Sequence, residues 1–294
     1  RASRWARWPV RHAMVKLALV RARLTGETTP VQAATFWEDS MSVELPEPLS
    51  ADVYRYGCYE SGLTRALVEL LDPGDVFIDI GAHFGYFSLL ASRLIGDEGE
   101  VHAFEPVPDT ARRLEQNLDD ASNTSVHRAA VWSRSGVVEM QSFDVQRSMY
   151  ASVFSPRMPD SERGEQVEAR NVKAPSVALD DLVPGELPPP TFVKIDAESA
   201  EKQVLIGMRG VLERIRPVIS VEVGDVGVEE APASREVLEF VRSRGYRLFE
   251  CDTEGLRPHR IKREYDYANI VLVAEEQMDG LDRIRTRDRD TDRE

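Results

Sequence analysis

Residues 75–106 read DVFIDIGAHFGYFSLLASRLIGDEGEVHAFEP, and they predict a strand, a glycine turn, a helix and a second strand. The branched apolar run at 76–80 is typical of a strand that is buried on both faces of a parallel sheet. Across 84–95 the apolar residues recur with the 3.6-residue period of a helix. Because strand, helix and strand form a β-α-β unit, we expect a ligand beyond the carboxyl ends of the strands.

The turn after the first strand carries two glycines, Gly81 and Gly85, and a carboxylate, Asp79, stands before them. A dinucleotide-binding turn has a third glycine and holds a pyrophosphate, which Asp79 would repel. An acid here suits a positive group, such as the ammonium of an amino acid. Glu105, after the second strand, is placed to accept both hydroxyls of a ribose. An amino acid joined to a ribonucleoside describes S-adenosylmethionine, so these charges predict that cofactor.

Length and composition limit the class of protein. The chain has 294 residues, of which 42% are hydrophobic, and this suits one large α/β domain with extensions. The net charge of −14 argues against a nucleic-acid partner, because a phosphate backbone requires a basic surface. No apolar run approaches the roughly 20 residues that span a bilayer. Two distant cysteines, Cys58 and Cys251, are expected to be free thiols in a reducing compartment, so we predict a cytoplasmic protein.

Four motifs occur in order along the chain: FIDIGAHFGYFS at 77–88, FEP at 104–106, VKIDAE at 193–198 and RPVI at 216–219. Four further residues accompany them: Asn117, Glu201, Leu205 and Glu222. Over roughly 54–273 this set resembles the FkbM-type S-adenosylmethionine-dependent methyltransferases. The resemblance implies an α/β class I methyltransferase fold, Rossmann-like and doubly wound, with a mostly parallel seven-stranded sheet. It also implies O-methylation, with hydroxyls of sugars, glycolipids or polyketides as acceptors.

Cofactor contacts are predicted at the glycine turn, at the ends of the next two strands and after the VKIDAE strand. The residues are Asp79, Gly81, Ala82, His83, Gly85, Tyr86, Phe87, Glu105, Pro106, Ala130, Val131 and Asp196.

Catalysis requires a group that takes the proton of a hydroxyl acceptor, and a carboxylate or histidine near the methyl group would serve. In this fold the strand before Asp196 faces the methyl group, so Asp196 and Glu198 are the leading candidates for base or acceptor anchor. His83 is a second candidate base. Glu222 could join the two acids around Mg²⁺, which prefers oxygen ligands, but the sequence alone does not predict a metal.

Two residues depart from the pattern of the family. Ser199 stands where a glycine is expected, and His83 stands where the turn commonly has an asparagine. Because of these departures, one alternative is that the protein binds the cofactor but does not catalyse methyl transfer. A dinucleotide or nucleotide-sugar oxidoreductase on a Rossmann unit is the other alternative, disfavoured by the missing third glycine and by Asp79.

The domain organisation is predicted in three parts: a basic helix and connector at 1–52, the methyltransferase domain at 53–275, and a charged, disordered tail at 276–294. A polar, mobile insert is expected at 144–165.

The first 24 residues contain seven basic residues and no acid. Five apolar residues fall on one helical face there: Val10, Met14, Leu17, Val20 and Leu24. This helix either lies on an anionic membrane as a peripheral contact or packs on its own acidic domain.

Overall fold

A computed structural model describes residues 2–154, 169–225 and 231–279 of the chain. The helices are α1 (Ala2–Thr25), α2 (Pro48–Tyr56), α3 (Ser61–Leu70), α4 (Tyr86–Ile95), α5 (Pro108–Leu118), α6 (Leu179–Leu182), α7 (Glu201–Gly207) and α8 (Ser234–Arg242). The strands are β1 (Thr29–Ala34), β2 (Ser40–Leu45), β3 (Val76–Ile80), β4 (Glu100–Phe104), β5 (Thr124–His127), β6 (Ala130–Val131), β7 (Gly136–Ser142), β8 (Arg170–Val177), β9 (Phe192–Ile195), β10 (Val218–Val223), β11 (Tyr246–Asp252), β12 (Gly255–Pro258) and β13 (Ala268–Ala274).

The central sheet has the strand order β12-β11-β13-β10-β9-β3-β4-β5. Its five strands from β5 to β10 are parallel, whereas β13 pairs antiparallel with β10 and with β11. This arrangement confirms the predicted class I methyltransferase fold. The sheet contains eight strands rather than the seven predicted, because β12 forms a hairpin with β11 at one edge.

The sheet is covered on both faces, as the continuous apolar runs predict. Ile78 and Ile195 face one core, which is completed by apolar residues of α7 and α8. Phe77 and Phe192 face the other core, where α3, α4 and α5 pack. Because alternate residues of β3 and β9 enter opposite cores, both strands are fixed in register at the centre of the molecule.

The insert differs from the prediction where the structure describes it. A 3-10 turn at Val145–Tyr150 follows β7, and Ser152 then hydrogen-bonds through its Oγ to the backbone oxygen of Glu198. The segment therefore packs on the loop after β9 instead of standing free in solvent. The remaining part of the predicted insert, from 155, lies outside the described residues.

The N-terminal segment is part of the folded body. Met41 and Val43 of β2 are fully buried in the same core as α3 and α4. The boundary predicted at 52/53 falls inside α2, so connector and domain share a helix.

At the C-terminal end, Glu276 is ion-paired with Arg216, and 280–294 lie outside the described residues. Within the described ranges, none of the helices combines the length and the apolar content that crossing a bilayer requires.

Candidate active site

A cleft opens at the carboxyl ends of β3, β4 and β9, where the β-α-β unit predicts the ligand site. Predicted site residues that line it are Gly81, Ala82, His83, Tyr86, Phe87, Glu105, Pro106, Ala130, Val131, Asp196 and Glu198. Two predicted residues, Asp79 and Gly85, do not line it; Gly85 packs against Leu114 of α5. Leu49, Tyr59, Trp132, Ser148, Ser152 and Lys194 also line it. Leu49 comes from the N-terminal segment, Tyr59 from the loop between α2 and α3, and Ser148 and Ser152 from the insert. Their sequence surroundings carried no motif that marks a ligand site.

The glycine turn makes a close backbone contact with the end of the neighbouring strand β9. Gly81 has a φ of 74°, and a Cβ at this position would lie 1.8 Å from the backbone oxygen of Asp196. The amide of Asp196 donates to the backbone oxygen of Ile80 at 3.0 Å. Only glycine permits this approach, so Gly81 joins the ends of β3 and β9 and places Asp196 beside the turn.

Glu105 lies at the carboxyl end of β4 and is buried in the cleft wall. Its two carboxylate oxygens accept the backbone N–H groups of His83 at 3.0 Å and Val107 at 2.9 Å. Burial raises the pKa of Glu105 to about 7. A carboxylate has about four lone-pair sites, so the backbone contacts fix its position and leave acceptor capacity for two hydroxyls. This geometry fits the ribose contact predicted for Glu105.

Asp79 occupies a different position from the one predicted. It is fully buried and is not part of the cleft lining. Its Oδ2 accepts the hydroxyl of Ser88 at 2.7 Å, and its Oδ1 lies 3.3 Å from Nζ of Lys194. Asp79 therefore pairs with Lys194 of β9 and not with the cofactor. Any effect of Asp79 on the cofactor is transmitted through Lys194.

Lys194 is a buried cation between two carboxylates. It is 3% exposed, and its Nζ lies 3.3 Å from both Asp79 Oδ1 and Asp196 Oδ2. The same ammonium lies 5.3 Å from the centre of the Phe87 ring. Burial lowers the pKa of Lys194, but the two carboxylates more than offset this and hold the pKa above its ordinary value. Lys194 therefore stays charged and fixes the orientation of Asp196.

Three carboxylates converge at one end of the cleft. Asp196, Glu198 and Glu222 each place an oxygen within 4.8 Å of the others. Glu198 and Ser199 both have positive φ values, 46° and 80°, which are strained for side chains of this type. The strained loop turns the chain immediately after β9 and brings Glu198 towards Asp196. The cluster offers oxygen atoms that accept hydrogen bonds from hydroxyl groups.

His83 has the environment of a neutral binding residue. Its ring stacks on Phe84 with 4.0 Å between centroids, and its Nε2 lies 2.8 Å from the Ser148 hydroxyl. Burial lowers the pKa of His83 to about 3. The Nε2 atom of His83 is engaged by Ser148, whereas Asp196 lies in the carboxylate cluster at the end of the cleft. This geometry favours Asp196 over His83 as the base, and the backbone N–H of His83 serves to hold Glu105.

The sequence is similar to that of known proteins over the range that contains this site. Residues 79–248 match the family model of the methyltransferase FkbM domain. The hexuronic acid methyltransferase AglP of Haloferax volcanii is 30% identical over 196 residues, which cover 64% of this chain and 75% of that protein. The 31-O-demethyl-FK506 methyltransferase FkbM of Streptomyces tacrolimicus is 29% identical over 228 residues, covering 67% of this chain and 80% of its own.

A solved structure described as methyltransferase FkbM, from Methylobacillus flagellatus, superposes with a TM-score of 0.44 and 16% identity. The superposition covers 74% of this chain and 46% of that one. The matched range 79–248 begins at the glycine turn and includes Glu105, the three clustered carboxylates and strands β4 to β10. The chain belongs to the FkbM family and is an S-adenosylmethionine-dependent methyltransferase.

Proposed function

We propose that the enzyme methylates a hydroxyl group of a saccharide, a glycolipid or a similar secondary metabolite. The observation that carries the proposal is the convergence of Asp196, Glu198 and Glu222 within 4.8 Å, beside the turn that holds Glu105. Carboxylates accept hydrogen bonds from neighbouring hydroxyls, which a sugar presents in pairs. The likeness to a protein named hexuronic acid methyltransferase supports a saccharide acceptor.

The site residues have two roles in this reaction: some bind the cofactor and the acceptor, and one accepts a proton. S-adenosylmethionine would be held at Glu105 through its ribose and supplies a methyl group on a sulfonium. Asp196 accepts the proton of the acceptor hydroxyl while the oxygen–carbon bond forms and the sulfur–carbon bond breaks. Glu198 and Glu222 orient the acceptor, because alignment for in-line displacement is the main contribution a protein makes to such a transfer.

The charge at this end of the cleft opposes a polyanionic acceptor. Glu60 adds a fourth acid near Asp196, and burial raises the pKa of Glu60 to about 7. The phosphate backbone of a nucleic acid would be repelled by these acids, whereas hydroxyl groups would be held by them. We propose on this ground a small-molecule or glycan acceptor and no nucleic acid. We also propose a cytoplasmic location, which the two free thiols support.

The test is transfer of labelled methyl from S-adenosylmethionine to a cell-envelope glycan extract, followed by mild base. We expect a labelled product that resists base, because a methyl ether is stable where a methyl ester is hydrolysed. A base-labile product would show that a carboxylate is the acceptor. If label appears in other extracts but not in saccharides, the acceptor is not a saccharide and the proposal is wrong.

Cofactor affinity is expected to rise with pH, because ribose hydroxyls donate to the ionised form of Glu105. The pKa of that carboxyl is about 7, so about one tenth of it is ionised at pH 6 and about nine tenths at pH 8. The Kd for S-adenosylmethionine at pH 6 is therefore expected to be about tenfold above the Kd at pH 8. The pKa of His83, about 3, excludes its titration in this range. Calorimetry with S-adenosylmethionine across this range measures the effect.

Glu105→Gln should bind about as weakly at pH 8 as the native protein does at pH 6. Its Kd should change much less than tenfold over this range, because only Glu60, near Asp196, still titrates there. The matched control is Glu139→Gln, since Glu139 forms an exposed ion pair with Lys173 on β7 and β8. This control should keep the native pH profile. A native Kd that stays constant between pH 6 and pH 8 contradicts the role of Glu105.

A further inference from the structure

Helix α1 presents a stripe of large apolar side chains to solvent. Val10 is 61% exposed, Leu17 64%, Val20 52% and Leu24 80%. At 3.6 residues per turn these four positions fall within an arc of about 80°. They therefore form one continuous surface, which we call the outer stripe. Contiguous exposed apolar surface of this kind marks an interaction site more often than scattered single residues do.

The opposite face of α1 holds the helix on the domain. Val15 and Ala18 are buried against Leu45 and Ala51, and Ala22 is 4% exposed. The body of the protein thus covers Val15, Ala18 and Ala22 and leaves the outer stripe uncovered. The sequence left two interpretations of this helix open, packing on the domain or contact with a membrane. In the structure one face of α1 packs on the domain, and the opposite face is exposed and free for a second contact.

The charges that α1 itself places beside the outer stripe are all positive. In a helix of 3.6 residues per turn, Lys16 and Arg23 flank the stripe on one side and Arg21 flanks it on the other. Arg21 makes an exposed ion pair with Glu27, which holds the side chain only weakly. From Ala2 to Thr25 the helix contains no acidic residue, although the whole chain has a net charge of −14.

We propose that α1 docks the protein on an anionic lipid surface, with the outer stripe among the acyl chains and its flanking cations on the headgroups. An apolar stripe bordered by Lys and Arg is the pattern of helices that lie in the plane of a membrane interface. A second copy of this chain would bring like charges together along the stripe, which opposes self-association. Helix α2, on which α1 packs, contributes Leu49 to the cleft, so one helix separates α1 from the cleft lining.

The experiment is sedimentation of the full chain with vesicles of phosphatidylglycerol and phosphatidylcholine, compared with vesicles of phosphatidylcholine alone. We expect binding to the anionic vesicles only. Lys16→Gln/Arg23→Gln should weaken it about 20-fold or more, because each cation near an anionic surface contributes about fivefold. Leu17→Ser/Val20→Ser should abolish binding. Both pairs are exposed, so circular dichroism and methyl transfer to a soluble acceptor should remain native.

The matched control is Val137→Ser, which removes a side chain that is 69% exposed on β7, away from α1. This variant should bind the anionic vesicles as the native protein does. Failure of the native chain to bind, or equal binding to neutral vesicles, overturns the proposal. A dimer in lipid-free solution that Leu17→Ser/Val20→Ser dissociates also overturns it, because the stripe would then be covered by a second copy.

Discussion

Asp196→Asn reduces the turnover number about 10²- to 10⁴-fold, the usual contribution of a positioned acid–base group. Asparagine keeps the shape of the side chain and can still accept a hydrogen bond from Lys194, which lies 3.3 Å from Asp196 Oδ2. It cannot take the proton of a hydroxyl acceptor. The turnover number should therefore fall far more than the affinity for S-adenosylmethionine. Single-turnover kinetics and calorimetry on the same preparation measure the two quantities separately.

Two further variants distinguish a base from an anchor. Glu198→Gln should mainly raise the KM for the acceptor, because an amide still forms hydrogen bonds with hydroxyls. Asp120→Asn, at an exposed position beyond the end of α5, should leave both constants unchanged. If Asp196→Asn retains native turnover while Glu198→Gln loses it, the proton passes to Glu198 and the roles of the two acids are exchanged.

The sequence predicts those parts of the site that depend on short local motifs. The turn at Gly81 lies beside the carboxylate of Glu105 because β3, α4 and β4 are consecutive in the chain, and a β-α-β unit has one favoured handedness. The departure at Ser199 also has a local reason in the structure. Its φ of 80° is a conformation that glycine adopts without strain, which accounts for the glycine expected by the family pattern.

The parts that the sequence did not predict depend on contacts between distant residues. Lys194 meets Asp79 across two neighbouring strands, β9 and β3, that are separated by more than a hundred residues of chain. An acid before a glycine turn has the same local sequence whether its partner is a ligand or a lysine. Likewise, Ser148 and Ser152 lie in a polar segment whose composition suggested mobility. Only the folded chain shows that they contact His83 and Glu198.

Lys194→Met should destabilise the protein by about 3–5 kcal/mol, the usual cost of removing one partner of a buried ion pair. The reason is that Asp79, which is fully buried, would lose its only cation among the described residues and keep one hydrogen bond, from Ser88. Because the two acids hold the pKa of Lys194 above its ordinary value, this stabilisation is fully present below about pH 10 and is lost as pH rises through the raised pKa. Urea unfolding of both proteins at neutral pH measures the difference.

The charge on Asp79 is the source of that loss, so removing the charge should restore stability. In Lys194→Met/Asp79→Asn the buried position carries a neutral amide, and the double variant should be more stable than Lys194→Met alone. The control Lys173→Met breaks an exposed ion pair with Glu139 and should change the free energy of unfolding by less than about 1 kcal/mol. If the double variant is as unstable as the single one, Lys194 stabilises the protein through packing against Phe87 and not through charge.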